Sequence, residues 1–163
     1  MNHFFLDASA WIKRFHEESG TDVVDYLVDT LLPSPQRIAI SPLGITEVAA
    51  ALNRYKNEGR LPERLVQQAV ARLLIEAGAM DVQPLNPAIV LDSLPYISKH
   101  NINASDALYL HQAILLRDLL RRVDREVVLV AADQRLLRAA TAEGIPVLDP
   151  EVAMIADIQR LIG

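Results

Sequence analysis

Along the chain, short apolar runs alternate with stretches whose apolar residues recur every three to four positions. Residues 3–6 read as a strand, followed by a helix over 10–15 and another near 22–32. Residues 37–41 form a second candidate strand. Between 44 and 58, Ile45, Val48, Ala49 and Leu52 fall at the i, i+3, i+4, i+7 spacing of one helical face. Pro62, at a first helical turn, opens the next helix, which runs to about 77. A short strand at 80–85 precedes helices at 87–99 and 104–121. The clearest buried strand is 127–131, apolar and rich in Val between charged flanks. A helix over 134–143 ends at Gly144, a residue suited to the left-handed position after a helix. Residues 145–148 are the last strand, and Pro150 is expected to open a C-terminal helix. Apolar strands separated by helices predict an α/β domain on a parallel sheet.

Composition narrows the class. With 163 residues, 51% hydrophobic and 23% charged, and no linker or repeat, one domain over 1–163 is expected. The absence of Cys removes disulfide frameworks, thiolate metal sites and cysteine nucleophiles. The longest unbroken apolar run, 127–132, is far short of the ~20 residues of a membrane helix. Asp7 also interrupts the N-terminal apolar stretch before it can act as a secretory signal. A soluble, cytoplasmic protein is expected, without a membrane partner. The net charge of −5 argues against a broad basic face that coats nucleic acid. It leaves open an acidic pocket holding a cation, because the cation reverses the local field. The sequence contains no P-loop, no GxGxxG, no HExxH and no GxSxG, and its four His have no metal-ligand spacing.

The acids remain. In open parallel sheets, ligands bind beyond the carboxyl ends of the strands, where strand order reverses. Asp7 directly follows the first strand, Glu47 lies early in the helix after the second, and Asp133 follows the 127–131 strand. Asp106 falls in the first turn of the helix preceding that strand. With the first strand central, these four crowd one rim. Like charges in one pocket need protons or a cation, and an all-oxygen donor set suits Mg2+ or Mn2+. Ser9, two residues past Asp7, is placed to assist at the same cation. Each acid also has a purely structural reading. Asp7 and Asp133 are natural N-caps, Asp106 favours a helix dipole, and Glu47 fits an exposed early turn.

Several segments resemble PIN-domain ribonucleases, particularly VapC-type toxins. They are Asp7-Ala8-Ser9-Ala10 after the first strand, Ser41 to Val48 with Glu47, Ala104 to Leu110 with Asp106, and Val130 to Leu137 with Asp133. The segments span nearly the whole chain in the family's order. The resemblance implies a three-layer α/β/α domain with a central parallel sheet of four or five strands. It also implies Mg2+- or Mn2+-dependent endonucleolytic cleavage of RNA, with Asp7, Glu47, Asp106 and Asp133 as metal and catalytic residues and Ser9 as a helper. A small VapB-like antitoxin and a homodimer are its implied partners, in a type II toxin–antitoxin pair. Where many members carry a further acid, two residues after the fourth, this chain has Arg135, which argues against a fully occupied second metal site.

Lys13 and Arg14, just past Asp7, are candidate RNA contacts, with surface solvation as the plainer reading of each. Trp11, Ile12 and Phe15 read as core, although the resemblance implies an antitoxin-gripping surface there. The segment 117–126 (RDLLRRVDRE) reads as a solvated helix end. Two other functions compete. A non-catalytic module of the same fold would bind RNA or protein without a cation. An aspartyl phosphatase would use Asp7 as nucleophile, but such enzymes carry a second Asp where this chain has Ser9.

Overall fold

The computed structural model describes residues 1–34 and 37–163. Five strands, β1 (Asn2–Leu6), β2 (Ile38–Ile40), β3 (Asp81–Val82), β4 (Glu126–Val130) and β5 (Val147–Leu148), form one sheet in the order β3-β2-β1-β4-β5. Every pairing is parallel. Leu6 at the end of β1 stands beside Ile40 on one side and Val130 on the other, so three strands finish level. The chain first builds outward from β1 through β2 to β3, then returns to β1's other edge with β4. The sheet's topological switch therefore falls at the carboxyl end of β1, the place where such sheets bind ligands.

Strand residues alternate between two apolar layers, as period-two geometry requires. Phe4, Leu6, Ile38, Ile40, Val128 and Val130 face one layer. There they meet α1 (Ala8–Trp11), α2 (Thr21–Leu31), α3 (Pro42–Asn57), α4 (Glu63–Ala79) and α8 (Ile155–Ile162). Phe5, Ala39, Val127 and Leu129 face the other. That layer is built on α5 (Pro87–His100), α6 (Ala104–Arg121) and α7 (Gln134–Ala142). The three-layer α/β/α architecture with five parallel strands is the one expected.

Some boundaries move. A helix expected over 10–15 is instead the short α1 followed by a 3-10 turn at Ile12–Arg14. Pro62 precedes α4 in extended conformation rather than standing inside its first turn. The outer strands are shorter than their apolar runs, covering two residues each at β3 and β5. Pro150 does not open a helix: the chain turns over 149–152 and α8 begins at Ile155. The reason is Gly20, whose backbone Pro150 packs against. A Cβ on Gly20 would lie 2.5 Å from the Pro150 carbonyl oxygen, and Gly20 has φ +83°, a conformation suited to glycine. Among the described residues no helix is long and apolar enough to cross a membrane.

Candidate active site

The four carboxylates reach the carboxyl rim of the sheet by different local routes. Asp7 leaves β1 and caps α1, with Oδ1 accepting from the Ala10 N–H at 2.9 Å. The Ser9 hydroxyl reaches both Asp7 oxygens, at 2.8 and 2.9 Å, and accepts from the Ala132 N–H at 2.8 Å. Ser9 thus ties the end of β1 to the end of β4. Asp133 caps α7, accepting from the Arg135 N–H at 2.8 Å. Both structural readings of these two residues therefore hold, and neither removes the residue from the rim.

Glu47 lies in the second turn of α3, where Oε2 accepts from the Tyr109 hydroxyl at 2.6 Å. Gly44, one turn earlier, makes room for this contact: a Cβ there would stand 3.2 Å from the Tyr109 hydroxyl. Burial raises the Tyr109 pKa, and the hydrogen bond and charge of Glu47 raise it further, so the phenol remains a donor. Tyr109 belongs to the segment around Asp106 that suggested the site, but its role was not legible locally. Its partner is 62 residues away in sequence.

Asp106 differs from the other three. The N-terminus of α6 is capped by Asn103, whose Oδ1 accepts from the Asp106 N–H at 2.8 Å. The Asp106 carboxylate is not used for capping, and its Oδ2 is buried without a hydrogen-bond partner. A buried carboxylate oxygen without a partner is costly. Burial, followed by the charge of Asp133, pushes the Asp106 pKa up to about 6; Arg135 opposes the shift and Glu47 adds to it. Burial likewise pushes Asp7 up to about 7, against the stabilising hydrogen bonds from Ala10 and Ser9, with Asp106 adding a smaller repulsion. The four acids thus form one electrostatic neighbourhood centred on Asp106.

They do not converge as they lie. Among the described residues no three acidic or histidine side chains are grouped closely enough to hold one ion. The cause is local: Asp7 is turned onto Ser9 and Ala10, Glu47 onto Tyr109, and Asp133 onto its own helix. The donor chemistry nevertheless fits a hard divalent cation, being all oxygen with one buried oxygen unsatisfied. Ser9, Glu47 and Asp133 line an open cleft of about 610 Å3, while Asp7 and Asp106 are buried and do not line it.

Comparison with known proteins bears on this arrangement. The PIN domain family model matches residues 4–142, a span that contains all four acids. The chain belongs to the PIN-domain family. Members of this family are generally nucleases that use divalent metal ions. Among solved structures, this PIN domain is similar in fold to PAE2754 from Pyrobaculum aerophilum, with a TM-score of 0.67 and 20% identity over 99% of this chain and 98% of that one. It is similar to FitAcB from Neisseria gonorrhoeae, with a TM-score of 0.56 and 19% identity over 92% and 99% of the two chains. FitAB bound to an IR36 DNA fragment gives a TM-score of 0.56 and 18% identity over 93% and 97%. No curated protein matches the sequence.

One expectation around the PIN site is corrected, and the core reading of Trp11 holds. Lys13 and Arg14 are not solvated surface residues: both are buried. Arg14 is held by Glu76 at 2.7 Å, Asp25 at 2.8 Å and Asp29 at 2.9 Å. Those pairs commit its guanidinium within the fold and leave it unsuited to RNA contact. Trp11 is fully buried, its indole N–H donating to Glu76 at 3.1 Å, so it belongs to the core and offers no surface.

Proposed function

We propose that this PIN domain is a Mg2+- or Mn2+-dependent endoribonuclease and the toxin of a type II toxin–antitoxin pair. Asp7, Glu47, Asp106 and Asp133 would hold the cation, with Ser9 orienting Asp7. The observation that carries the reading is the buried, unpartnered Oδ2 of Asp106 at the centre of the acidic rim. A bound divalent ion supplies positive charge to a phosphoryl oxygen and makes the attacking water easier to ionise.

The chain's own residues supply the rest. Ser9 fixes the Asp7 carboxylate through both of its oxygens and couples it to β4. Tyr109 fixes one oxygen of Glu47, a residue that lines the cleft. With the cation bound, a carboxylate of the rim, Asp106 or Glu47, would orient the attacking water or take its proton. The resemblance to VapC-type toxins supports RNA as substrate, together with a small antitoxin, a homodimer and a cytoplasmic setting. The whole chain acting as one domain is part of the same proposal.

Purified protein is expected to cleave RNA with Mg2+ or Mn2+ and to stop on addition of EDTA. Asp7→Asn is expected to abolish cleavage while keeping the wild-type circular dichroism spectrum. A folded Asp7→Asn protein of equal activity refutes the assignment.

A further inference from the structure

The cleft that carries Ser9, Glu47 and Asp133 also contains a buried cation. Lys13 sits in the 3-10 turn after α1, its side chain only 3% exposed. Its ammonium stands 2.8 Å from Glu151 and 3.4 Å from Glu18, and all three residues line the cleft. Burial pulls the Lys13 pKa down, but Glu151 and Glu18 outweigh it, and the ammonium stays charged.

A cleft walled by carboxylates repels a polyanion, so a phosphodiester that enters it needs a cation on the wall. Arg14 is committed to three carboxylates and does not line this cleft. Arg54 lines it, but its side chain is 62% exposed and paired with Glu58 on its own helix, a solvated charge at the rim. Lys13 is the cation set into the wall. Of its two partners, Glu18 is the less exposed, at 29%, and Glu151 the more exposed, at 44%.

The placement of Glu151 is structural. It stands in the turn between β5 and α8, the turn whose Pro150 packs on Gly20. Next to Gly20, the Thr21 hydroxyl donates to the Lys13 carbonyl at 3.0 Å and accepts from the Glu18 N–H at 3.0 Å. Backbone contacts therefore bring a carboxylate from late in the chain onto the lysine, across 138 residues.

We propose that Lys13 is a substrate-binding residue that takes a phosphodiester oxygen of an oligonucleotide strand, and that Glu151 occupies this position until the strand displaces it. The inference rests on the nuclease reading above. Glu151 acts as a built-in competitor, and Glu18 keeps the lysine in place during the exchange.

The test uses the full chain and a mixed-sequence single-stranded oligoribonucleotide, with affinity measured in EDTA and KM and kcat measured in Mn2+. Glu151→Gln is expected to tighten binding and lower KM by roughly three- to tenfold with kcat little changed. Lys13→Met is expected to weaken binding about tenfold, with the slope of log K against log salt shallower by about 0.7, the value for one lost contact on a single strand. The double variant is expected to match Lys13→Met. The exposed Glu17→Gln, which removes the same charge outside the cleft, is expected to leave affinity unchanged.

Wild-type affinity and KM in Glu151→Gln overturn the proposal whether or not Lys13→Met folds. So does a gain that persists without Lys13 or that Glu17→Gln reproduces. If wild type cleaves RNA while these outcomes occur, the nuclease reading stands and the role of Lys13 falls. Folded wild type that neither binds nor cleaves RNA overturns both.

Discussion

Asp7 carries two loads, as the cap of α1 and as a buried carboxylate beside Asp106. In the folded protein without metal it keeps its proton up to about pH 7, whereas an unfolded Asp loses it near 3.8. The native state therefore binds more protons than the unfolded state between those values, and stability falls as pH rises through that window. Asp106, pushed up to about 6, acts in the same direction. Thermal melts in EDTA are expected to show wild type losing stability from pH 4 to pH 8. Asp7→Asn is expected to flatten this loss and be more stable at pH 8 by on the order of 1–4 kcal/mol. A wild-type Tm independent of pH over that range contradicts the reading. Tyr109→Phe removes the donor that holds Glu47 and leaves the ring in place. Loss of one hydrogen bond to a charged group is expected to cost about 1.5–3 kcal/mol of stability, and with Glu47 no longer held, kcat is expected to fall at least tenfold at temperatures where the variant stays folded. Unchanged kcat means that Tyr109 only fills space.

Between elements, a buried polar network joins the 3-10 turn, α2 and α4. Glu76 of α4 receives Arg14, the Trp11 indole and Arg72, and Arg14 continues to Asp25 and Asp29 on α2. Removing one member of a buried pair leaves its partner's charge stranded. Glu76→Gln is expected to cost about 3–5 kcal/mol in urea unfolding, with cleavage per folded molecule preserved. This network also marks the limit of local reading. The strands were legible because buried parallel strands must be apolar runs, and the longer helices because one face of each repeats every three to four residues. Asp7, Glu47, Asp106 and Asp133 were legible as strand-end and helix-start acids, although nothing local distinguishes a capping acid from a ligand. Lys13 and Arg14 were misread as solvated because the carboxylates that permit their burial lie as far as 138 and 62 residues away. Pro150 was misread because its environment is set by Gly20, on a distant segment of chain.

Across the whole molecule, the parallel sheet brings four acids to one rim, where burial first and neighbouring charge second hold Asp7 and Asp106 toward their protonated forms. A cation that binds the native state alone stabilises it in proportion to the logarithm of its concentration. Mn2+ at about one hundred times its dissociation constant is expected to add about 2.7 kcal/mol, and Asp106→Asn is expected to abolish most of this gain. Equal Tm with and without Mn2+ in wild type contradicts a metal role for the rim. The strand order has a further consequence for biosynthesis. β1 leaves the ribosome first, yet its neighbour on one side is β4, and Ser9 finds the Ala132 amide only after that strand is made. While the messenger is still being read, the nascent polypeptide holds an unfinished edge and a scattered set of acids. Synthesis must pass Asp133 before the four acids can meet, so on the proposed ribonuclease reading a growing chain cannot cut its own template for most of translation.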